Sequence, residues 1–237
     1  MTRRRWIADE VKDNCAALIG AHAAHLSRTL RAQVGQEFDL VCGDVVRRAV
    51  VVSVNDQRVE FELRDEVAAA VVTPITLLLA VFKFDRMEWA IEKCTELNVT
   101  AIVPVIARRT EKHLAQAAEK RVERWRRIAR QASEQARRAA PPEISDPVRL
   151  ADALQTSGEL RIVLAETERE AQLLEILRAR QGFASLVLAI GPEGGWTSDE
   201  LQLFEQAGWT SALLGATVLR AETAAIAALA LARAEAT

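Results

Sequence analysis

The sequence predicts an α/β fold in which a mainly parallel sheet is flanked by helices and is preceded by a small β module. Two patterns indicate it. From about residue 75 onward, short apolar runs typical of buried strands alternate with stretches whose apolar residues recur every three or four positions, as on one helix face. Before about residue 65, apolar and polar residues alternate, as along half-buried strands. We therefore expect two domains, residues 1–70 and 71–237.

The β module is predicted from three alternating runs, at residues 38–42, 50–54 and 59–63, which are separated by turn residues. Three short strands so close together favour a small antiparallel sheet or barrel. A short helix is expected before them at residues 22–31, and residues 65–74 are expected to link the two domains.

The larger domain is predicted as strands alternating with helices. Strands are expected at residues 75–82, 99–106, 160–165, 186–190 and 211–214. Helices are expected at residues 85–98, 113–138, 168–180 and 222–236, with a further helix that starts at Thr197 and ends near Gly208. Ligands of such sheets lie beyond the carboxyl ends of the strands, so the loops after the last three strands are the candidate ligand site.

The glycine-rich loop at residues 191–195, Gly-Pro-Glu-Gly-Gly, lies between a strand and a helix. Thr197 and Glu200 have the spacing of a capping box at the start of that helix. The loop has neither the Gly-Lys-Ser/Thr of a Walker A motif nor the spacing of a dinucleotide fingerprint. The pattern favours a loop that binds a ligand but does not name the ligand, and a tight turn without a ligand is the alternative.

Arg220 and Glu222 flank the start of the last helix, where a glutamate suits the positive end of the helix dipole. Polar groups at this position are candidates for chemistry at the site. A salt bridge that only caps the helix is the alternative interpretation.

The charge of the chain is almost balanced, with a net charge of −2, so there is no overall basic signature. Only five of the 31 basic residues are lysines, and the arginines occur in clusters. Arginine clusters suit phosphate chains because the guanidinium offers a bidentate fork. Solvated helix faces explain any single cluster equally well.

The cysteines and histidines point to no metal or disulfide framework. Cys15, Cys42 and Cys94 are far apart and odd in number, which favours a reducing, cytoplasmic setting. His22 and His25 have no other ligand type close in sequence, so no metal site is expected. The N-terminus has no apolar segment of a secretory signal, and no stretch is long and apolar enough to span a membrane.

Five separated segments, in chain order, resemble the motifs of one family. They are Lys83-Phe-Asp-Arg-Met-Glu88 with Glu92-Lys-Cys-Thr-Glu-Leu97, Ile102 to Arg109, Ala132-Ser-Glu-Gln-Ala-Arg-Arg138, residues 190–195 with Glu200, and Leu214-Gly215 with Leu219-Arg-Ala-Glu-Thr-Ala224. Together they resemble the 16S ribosomal RNA (uracil-N3)-methyltransferases of the SPOUT superfamily. The chain departs from the family's usual residues at Phe84, Asn98 and Ala136, none of which lies in the loops that the family uses for its cofactor.

The resemblance implies a fold and an activity. Residues 1–70 are expected to form a PUA-like β-barrel that binds RNA, and residues 71–237 a SPOUT methyltransferase domain with a C-terminal trefoil knot. The implied reaction is methyl transfer from S-adenosylmethionine to N3 of a uridine in 16S ribosomal RNA of the small ribosomal subunit. The implied assembly is a homodimer, with the cofactor site near the interface.

The resemblance also assigns roles to residues. The cofactor loops are expected to comprise Leu164, Ala165, Glu166, Ile190, Gly191, Glu193, Gly194, Leu214, Gly215, Leu219, Thr223 and Ala224. At the reacting base we expect Arg220, Glu222 and Arg138. Arg220 is expected to stabilise the uracil anion, and Glu222 to accept the N3 proton or orient Arg220; a site without a protein base is also open. RNA contacts are expected from Arg3, Arg4, Arg5, Arg47, Arg48, Lys83, Arg86, Arg109 and Lys112, and Trp6 is either a stacking platform for a base or a core residue.

Three other functions are compatible with parts of the pattern. The first is an RNA methyltransferase with another acceptor, such as a ribose 2′-OH. The second is an RNA-binding ribosome-assembly factor without catalysis, against which the intact glycine loop and the segment at residues 219–224 argue. The third is a nucleotide-dependent metabolic enzyme, against which the missing nucleotide fingerprints argue.

Overall fold

The computed structural model describes residues 5–43, 45–67, 72–136, 138, 140–180 and 182–236. It divides the chain into two compact units. The first comprises Met1–Val71 and Ser133–Ala140, and the second comprises Val72–Ala132 and Pro141–Thr237. Some predicted features lie outside the described residues. They are residues 68–71 of the linker, which include the expected domain boundary between residues 70 and 71, and the residues Arg3, Arg4 and Arg137.

The first unit holds a curled sheet with the strand order β1-β4-β5-β6-β3-β2. Its strands are β1 (Arg5–Ile7), β2 (Glu10–Lys12), β3 (Cys15–Ile19), β4 (Glu37–Cys42), β5 (Val45–Val54) and β6 (Arg58–Val67). β1 pairs with β4 in parallel, and the other neighbours are antiparallel. The three predicted strands are present as β4, β5 and β6. The sheet also includes β1, β2 and β3, which the sequence analysis did not predict.

The core of the first unit forms where alternate side chains of this sheet meet one short helical segment. Phe38 and Phe61 pack edge to face at a centroid distance of 6.1 Å, and Leu26 is fully buried against them. Leu26 lies in a π-helical turn (His25–Thr29) that follows α1 (Ala21–Ala24). The predicted helix at residues 22–31 is therefore two short, different turns.

The second unit is built on a sheet with the order β10-β8-β7-β12-β11-β13, to which β9 adds by pairing with β8. The strands are β7 (Ile75–Ala80), β8 (Ala101–Ile106), β9 (Glu143–Ile144), β10 (Val148–Arg149), β11 (Leu160–Leu164), β12 (Leu186–Ile190) and β13 (Thr210–Ala212). Every pairing is parallel. The predicted α/β fold with a parallel sheet is confirmed.

Helices cover the sheet of the second unit. They are α2 (Phe84–Glu96), α3 (Lys112–Ala117), α4 (Val122–Gln135), α5 (Leu150–Ala153), α6 (Leu173–Ala179), α7 (Ser198–Gln206) and α8 (Ala221–Glu235). Side chains of β12 alternate between two layers. Leu188 packs in the core that α2 and α8 share, whereas Val187 packs in the core that contains Phe204 of α7.

Two predicted helices are wrong in extent. The helix expected at residues 113–138 is α3, a 3₁₀ turn (Glu119–Arg121) and α4, which ends at Gln135. The helix expected at residues 168–180 begins only at Leu173. The Glu168 carboxylate accepts backbone N–H bonds from residues 169, 170 and 171, and this arrangement favours a turn over a helix there.

Among the described residues, no helix is long and apolar enough to cross a membrane.

Candidate cofactor and reaction site

A cavity of about 310 Å³ lies beyond the carboxyl ends of β11, β12 and β13. β11 pairs in parallel with both β12 and β13, so the loops that follow these strands leave the same edge of the sheet. These three loops and the first turn of α8 form the cavity wall. The cavity is lined by the predicted cofactor residues Leu164, Ala165, Glu166, Ile190, Gly191, Glu193, Gly194, Leu214, Gly215, Leu219 and Ala224. Thr223 is exposed on α8 and does not line it.

The glycine loop after β12 is packed so closely that a Cβ at two of its positions would be in tight contact with a neighbouring side chain. A Cβ at Gly191 would lie 3.2 Å from Nε1 of Trp196, and one at Gly194 would lie 3.3 Å from Cδ of Arg109. Gly195 has a φ of +70° and donates its N–H to the carbonyl of Pro192, which closes the turn. The loop therefore presents bare backbone to the cavity.

Trp196 is a residue of this site that the sequence analysis missed. Its ring is buried, lines the cavity and packs against Phe204 at a centroid distance of 5.0 Å. Its Nε1 is buried and has no hydrogen-bond partner among the described residues. The local signal was its position directly after the paired glycines, at the entrance to α7.

The capping box predicted at Thr197 and Glu200 is confirmed. The Glu200 Oε2 accepts the backbone N–H of Thr197 at 2.9 Å, and the Thr197 hydroxyl accepts the N–H of Glu200 at 3.3 Å. Glu200 is buried, and its Oε1 accepts the backbone N–H of Arg108 at 2.8 Å. One carboxylate thus ties the loop after β12 to the loop after β8.

The loop after β11 is fixed by Glu168. Its Oε1 accepts three backbone N–H bonds, at 2.8, 3.0 and 3.3 Å. These bonds hold the pKa of the Glu168 carboxyl below its usual value, because they stabilise the charged form. The wall of the cavity at this loop is therefore held by a carboxylate that is ionised at neutral pH.

Arg86 bridges two carboxylates beside the cavity. Its Nη1 donates to Oε1 of Glu193, and its Nε lies 3.8 Å from Oε1 of Glu222. Arg86 comes from the first turn of α2, Glu193 from the glycine loop and Glu222 from the first turn of α8. Arg86 is expected from the sequence to contact RNA, and in the structure its guanidinium lies between these two carboxylates.

Glu222 is only 4% exposed, and its Oε2 is buried without a hydrogen-bond partner among the described residues. Its ion pair is with Arg86 and not with Arg220, so the simple salt bridge between Arg220 and Glu222 is not formed. Arg220 is the N-cap residue of α8, its side chain is exposed, and it makes no ion pair within the described part of the chain. Its backbone carbonyl accepts the N–H of Ala224 at 2.8 Å.

The remaining predicted polar residues are distributed over both units. Arg138 belongs to the first unit, where it lines a second cavity. Arg109 lines the cofactor cavity, and its Nη1 donates to the carbonyl of Gly194 at 2.5 Å. Lys83 and Lys112 are exposed on the second unit.

In the first unit, the arginines predicted to bind RNA differ in their hydrogen bonds and in their exposure. Arg47 donates to the carbonyl of Arg64 at 2.9 Å and to Oδ1 of Asn14 at 3.0 Å, so it braces the sheet. Arg48 is exposed and Arg5 is half-buried. No group of His, Cys, Asp and Glu among the described residues is arranged to hold a metal ion.

Known proteins resemble this chain over most of its length. Residues 70–233 match the family model of the RNA methyltransferase domain. The chain is 32% identical to a Mycobacterium bovis protein named ribosomal RNA small subunit methyltransferase E, over 97% of this chain and 90% of that protein. It is 30% identical to the protein of that name from Synechocystis, over 94% of this chain and 74% of that protein.

Solved structures of methyltransferases are also similar to this chain. A ribosomal RNA small subunit methyltransferase E from Neisseria gonorrhoeae, bound to S-adenosylmethionine, superposes with a TM-score of 0.79 at 30% identity and covers 97% of this chain and 96% of that chain. A methyltransferase from Legionella pneumophila with bound S-adenosylmethionine gives a TM-score of 0.78 at 26% identity, covering 99% and 98% of the two chains. The predicted PUA-like and SPOUT architecture is consistent with these neighbours. The chain belongs to the ribosomal RNA small subunit methyltransferase E family.

Proposed function

We propose that this protein transfers a methyl group from S-adenosylmethionine to N3 of one uridine in 16S ribosomal RNA of the small ribosomal subunit. One observation carries the proposal. The glycine-lined cavity at the ends of β11, β12 and β13 adjoins the first turn of α8, where a buried glutamate and an exposed arginine follow one another within three residues.

The residues present fit S-adenosylmethionine. The cavity offers exposed backbone at Gly191, Gly194 and Gly215, which suits a ligand read by main-chain groups. The ring of Trp196 lines the cavity, and its buried Nε1 has no hydrogen-bond partner among the described residues. When bound, S-adenosylmethionine supplies a methyl group attached to a positively charged sulfur.

The base must be unpaired, because N3–H is buried in a base pair. The N3 proton must also leave. Glu222 has the chemistry to accept it, since its Oε2 has no hydrogen-bond partner among the described residues, and Arg86 holds Oε1 in place. Arg220 is exposed and unpaired, so its guanidinium can stabilise the negative charge that develops on uracil. Alignment of the base against the methyl donor supplies the rest of the rate enhancement.

Binding of the RNA is proposed to use the exposed cations Arg48, Lys83 and Lys112, with Arg5, Arg3 and Arg4 at the N-terminus. Phosphate contacts of this kind make affinity fall as salt rises. A homodimer in the cytoplasm, where ribosomal subunits assemble, is part of the same proposal. The homodimer is tested by measuring the molar mass of the full chain in solution by light scattering.

The experiment uses labelled S-adenosylmethionine and small ribosomal subunits from cells that lack this protein. After incubation with the full chain, the RNA is digested and the labelled nucleoside is identified by mass spectrometry. Label in 3-methyluridine at one site is the expected result. Label on a ribose 2′-oxygen would show that the methyl acceptor is the ribose and not N3 of uracil. Tight binding of particles without any label would favour a non-catalytic assembly factor.

A further inference from the structure

The first unit contains a second cavity, of about 560 Å³, that the proposed reaction does not use. Its lining includes Trp6 of β1, His22 of α1 and His25 of the π-helical turn. Glu134, Gln135 and Arg138 also line it. All of these residues belong to the first unit, so the cavity is a feature of that unit alone.

Three aromatic rings are grouped in its wall. The rings of Trp6 and His25 have centroids 5.6 Å apart at an angle of 51°, and those of Trp6 and His22 are 6.1 Å apart at 65°. Asp9 holds the His22 ring in place, since its Oδ1 lies 3.1 Å from Nδ1 of that ring. The rings are tilted against one another, so a flat ligand can stack on one of them, the Trp6 indole, while the histidines lie beside it.

Polar groups in the same wall suit the edge of a flat ligand. The Nε1 of Trp6 is buried and has no hydrogen-bond partner among the described residues. Glu134 is an acceptor whose Oε2 lies 3.8 Å from Nε2 of His22, and Gln135 beside it supplies both a donor and an acceptor. Donor and acceptor groups around a stacking platform match the pairing edge of a nucleobase.

The arginines in the cavity wall carry positive charge that suits the phosphate groups on either side of a nucleotide in RNA. Arg5 and Arg138 both line the cavity. Some other arginines of the first unit are paired with carboxylates, such as Arg28 with Asp56 and Arg64 with Glu62. Arg5 has no such pair with a carboxylate among the described residues, which leaves a positive charge for phosphate.

We propose that this cavity binds one unpaired nucleobase of the RNA substrate, stacked on Trp6 with its pairing edge toward Glu134. The inference rests on the proposed function for the identity of the ligand as RNA. It adds that the first unit recognises a base, and not only the phosphate backbone.

The test measures binding of fluorescein-labelled oligoribonucleotides to the full chain by fluorescence anisotropy, at fixed salt and without S-adenosylmethionine. Two probes are compared: a twelve-nucleotide single strand, and the same sugar–phosphate chain with abasic positions throughout. The wild type is expected to bind the base-containing strand at least ~10-fold more tightly, because one stacked base contributes about that much to affinity. Trp6→Ala should abolish this preference, and Trp6→Phe should keep most of it.

Trp89→Ala is the matched control, because Trp89 is 48% exposed and lies on α2 of the second unit. It should leave the preference unchanged. Equal binding of the two probes by the wild type, or an undiminished preference in Trp6→Ala, would overturn the inference. If Trp6→Ala does not fold, Glu134→Ala replaces it and should lower the preference. Methylation of particles is scored separately, so a protein that methylates RNA without a base preference contradicts only this inference.

Discussion

Nε of Arg86 lies 3.8 Å from Oε1 of Glu222, and the same guanidinium donates a hydrogen bond to Glu193. The three residues come from α2, α8 and the glycine loop, so one cation connects the cofactor cavity with the start of the last helix. A buried carboxylate needs a nearby cation or hydrogen-bond donors to remain charged. We propose that Arg86 is a positioning residue for the buried Glu222 and also contacts Glu193.

Replacing Arg86 by Met should lower methyl transfer by about 100-fold, because misplacement of a reacting group by about 1 Å has effects of that size. Measurement of kcat and KM with small ribosomal subunits checks this. Arg124→Met is the control, since it breaks an exposed ion pair with Glu88 and should leave kcat unchanged. A kcat for Arg86→Met close to that of the control would contradict the positioning role.

Arg220→Ala should reduce kcat by about 10²–10³-fold, the usual effect of removing a donor that stabilises developing negative charge. Affinity for S-adenosylmethionine, measured by calorimetry, should be nearly unchanged, because Arg220 does not line the cofactor cavity. Arg149→Ala removes another exposed arginine and should have no effect. Normal turnover of Arg220→Ala would exclude its proposed role.

The glycine loop offers a test of the cofactor cavity. A Cβ at Gly191 would lie 3.2 Å from the Trp196 ring, so Gly191→Ala must push the ring or the loop. Overpacking of this kind costs the folded protein about 1–3 kcal/mol. Because the loop and the ring both line the cavity, their displacement should also lower the affinity for S-adenosylmethionine, by about 10-fold for each 1.4 kcal/mol lost from binding. Gly35→Ala, in the first unit with a φ of +87° and open space around it, controls for backbone strain alone. Equal affinities of the two variants would argue against the assigned cavity.

An element of this fold can be predicted from the sequence when the residues that stabilise it lie close together in the chain. The apolar run of β12 and the spacing of Thr197 and Glu200 are local signals, and both predictions are confirmed. β1 and β2 have only three residues each and form by pairing with distant or neighbouring strands, so their own residues do not predict them.

The same distinction applies to the site. The loops around the cavity follow strands and carry motif residues, and nearly all of the residues expected to hold the cofactor line this one cavity. The ion pair of Arg86 with Glu193 joins residues separated by 107 positions, and nothing local to either residue indicates it. The bond from Arg108 to Glu200 spans 92 positions and was missed for the same reason.

Glu200→Gln should lower the free energy of unfolding by about 1–3 kcal/mol, because an amide has one acceptor oxygen where the carboxylate uses two. Urea denaturation monitored by circular dichroism measures the change. Asp199→Asn alters the neighbouring, exposed carboxylate in the same helical turn and should change stability much less. A Glu200→Gln protein as stable as Asp199→Asn would show that the link to Arg108 is unimportant.

The buried thiol of Cys94 should make the protein less stable in alkali. Complete burial in α2 raises the pKa of this thiol from 9.0 to about 12, because the thiolate cannot be solvated there. Between these two values the unfolded chain has lost the proton that the folded chain still holds. The free energy of unfolding should therefore fall as pH rises, by at most about 1.4 kcal/mol per pH unit. The chain has no tyrosine, so no phenol titrates in this range.

Urea unfolding at several pH values should show a smaller slope for Cys94→Ala than for the wild type, whereas Cys15→Ala, at an exposed position, should keep the wild-type slope. Identical slopes for Cys94→Ala and Cys15→Ala would mean that the Cys94 thiol does not contribute to the alkaline loss of stability.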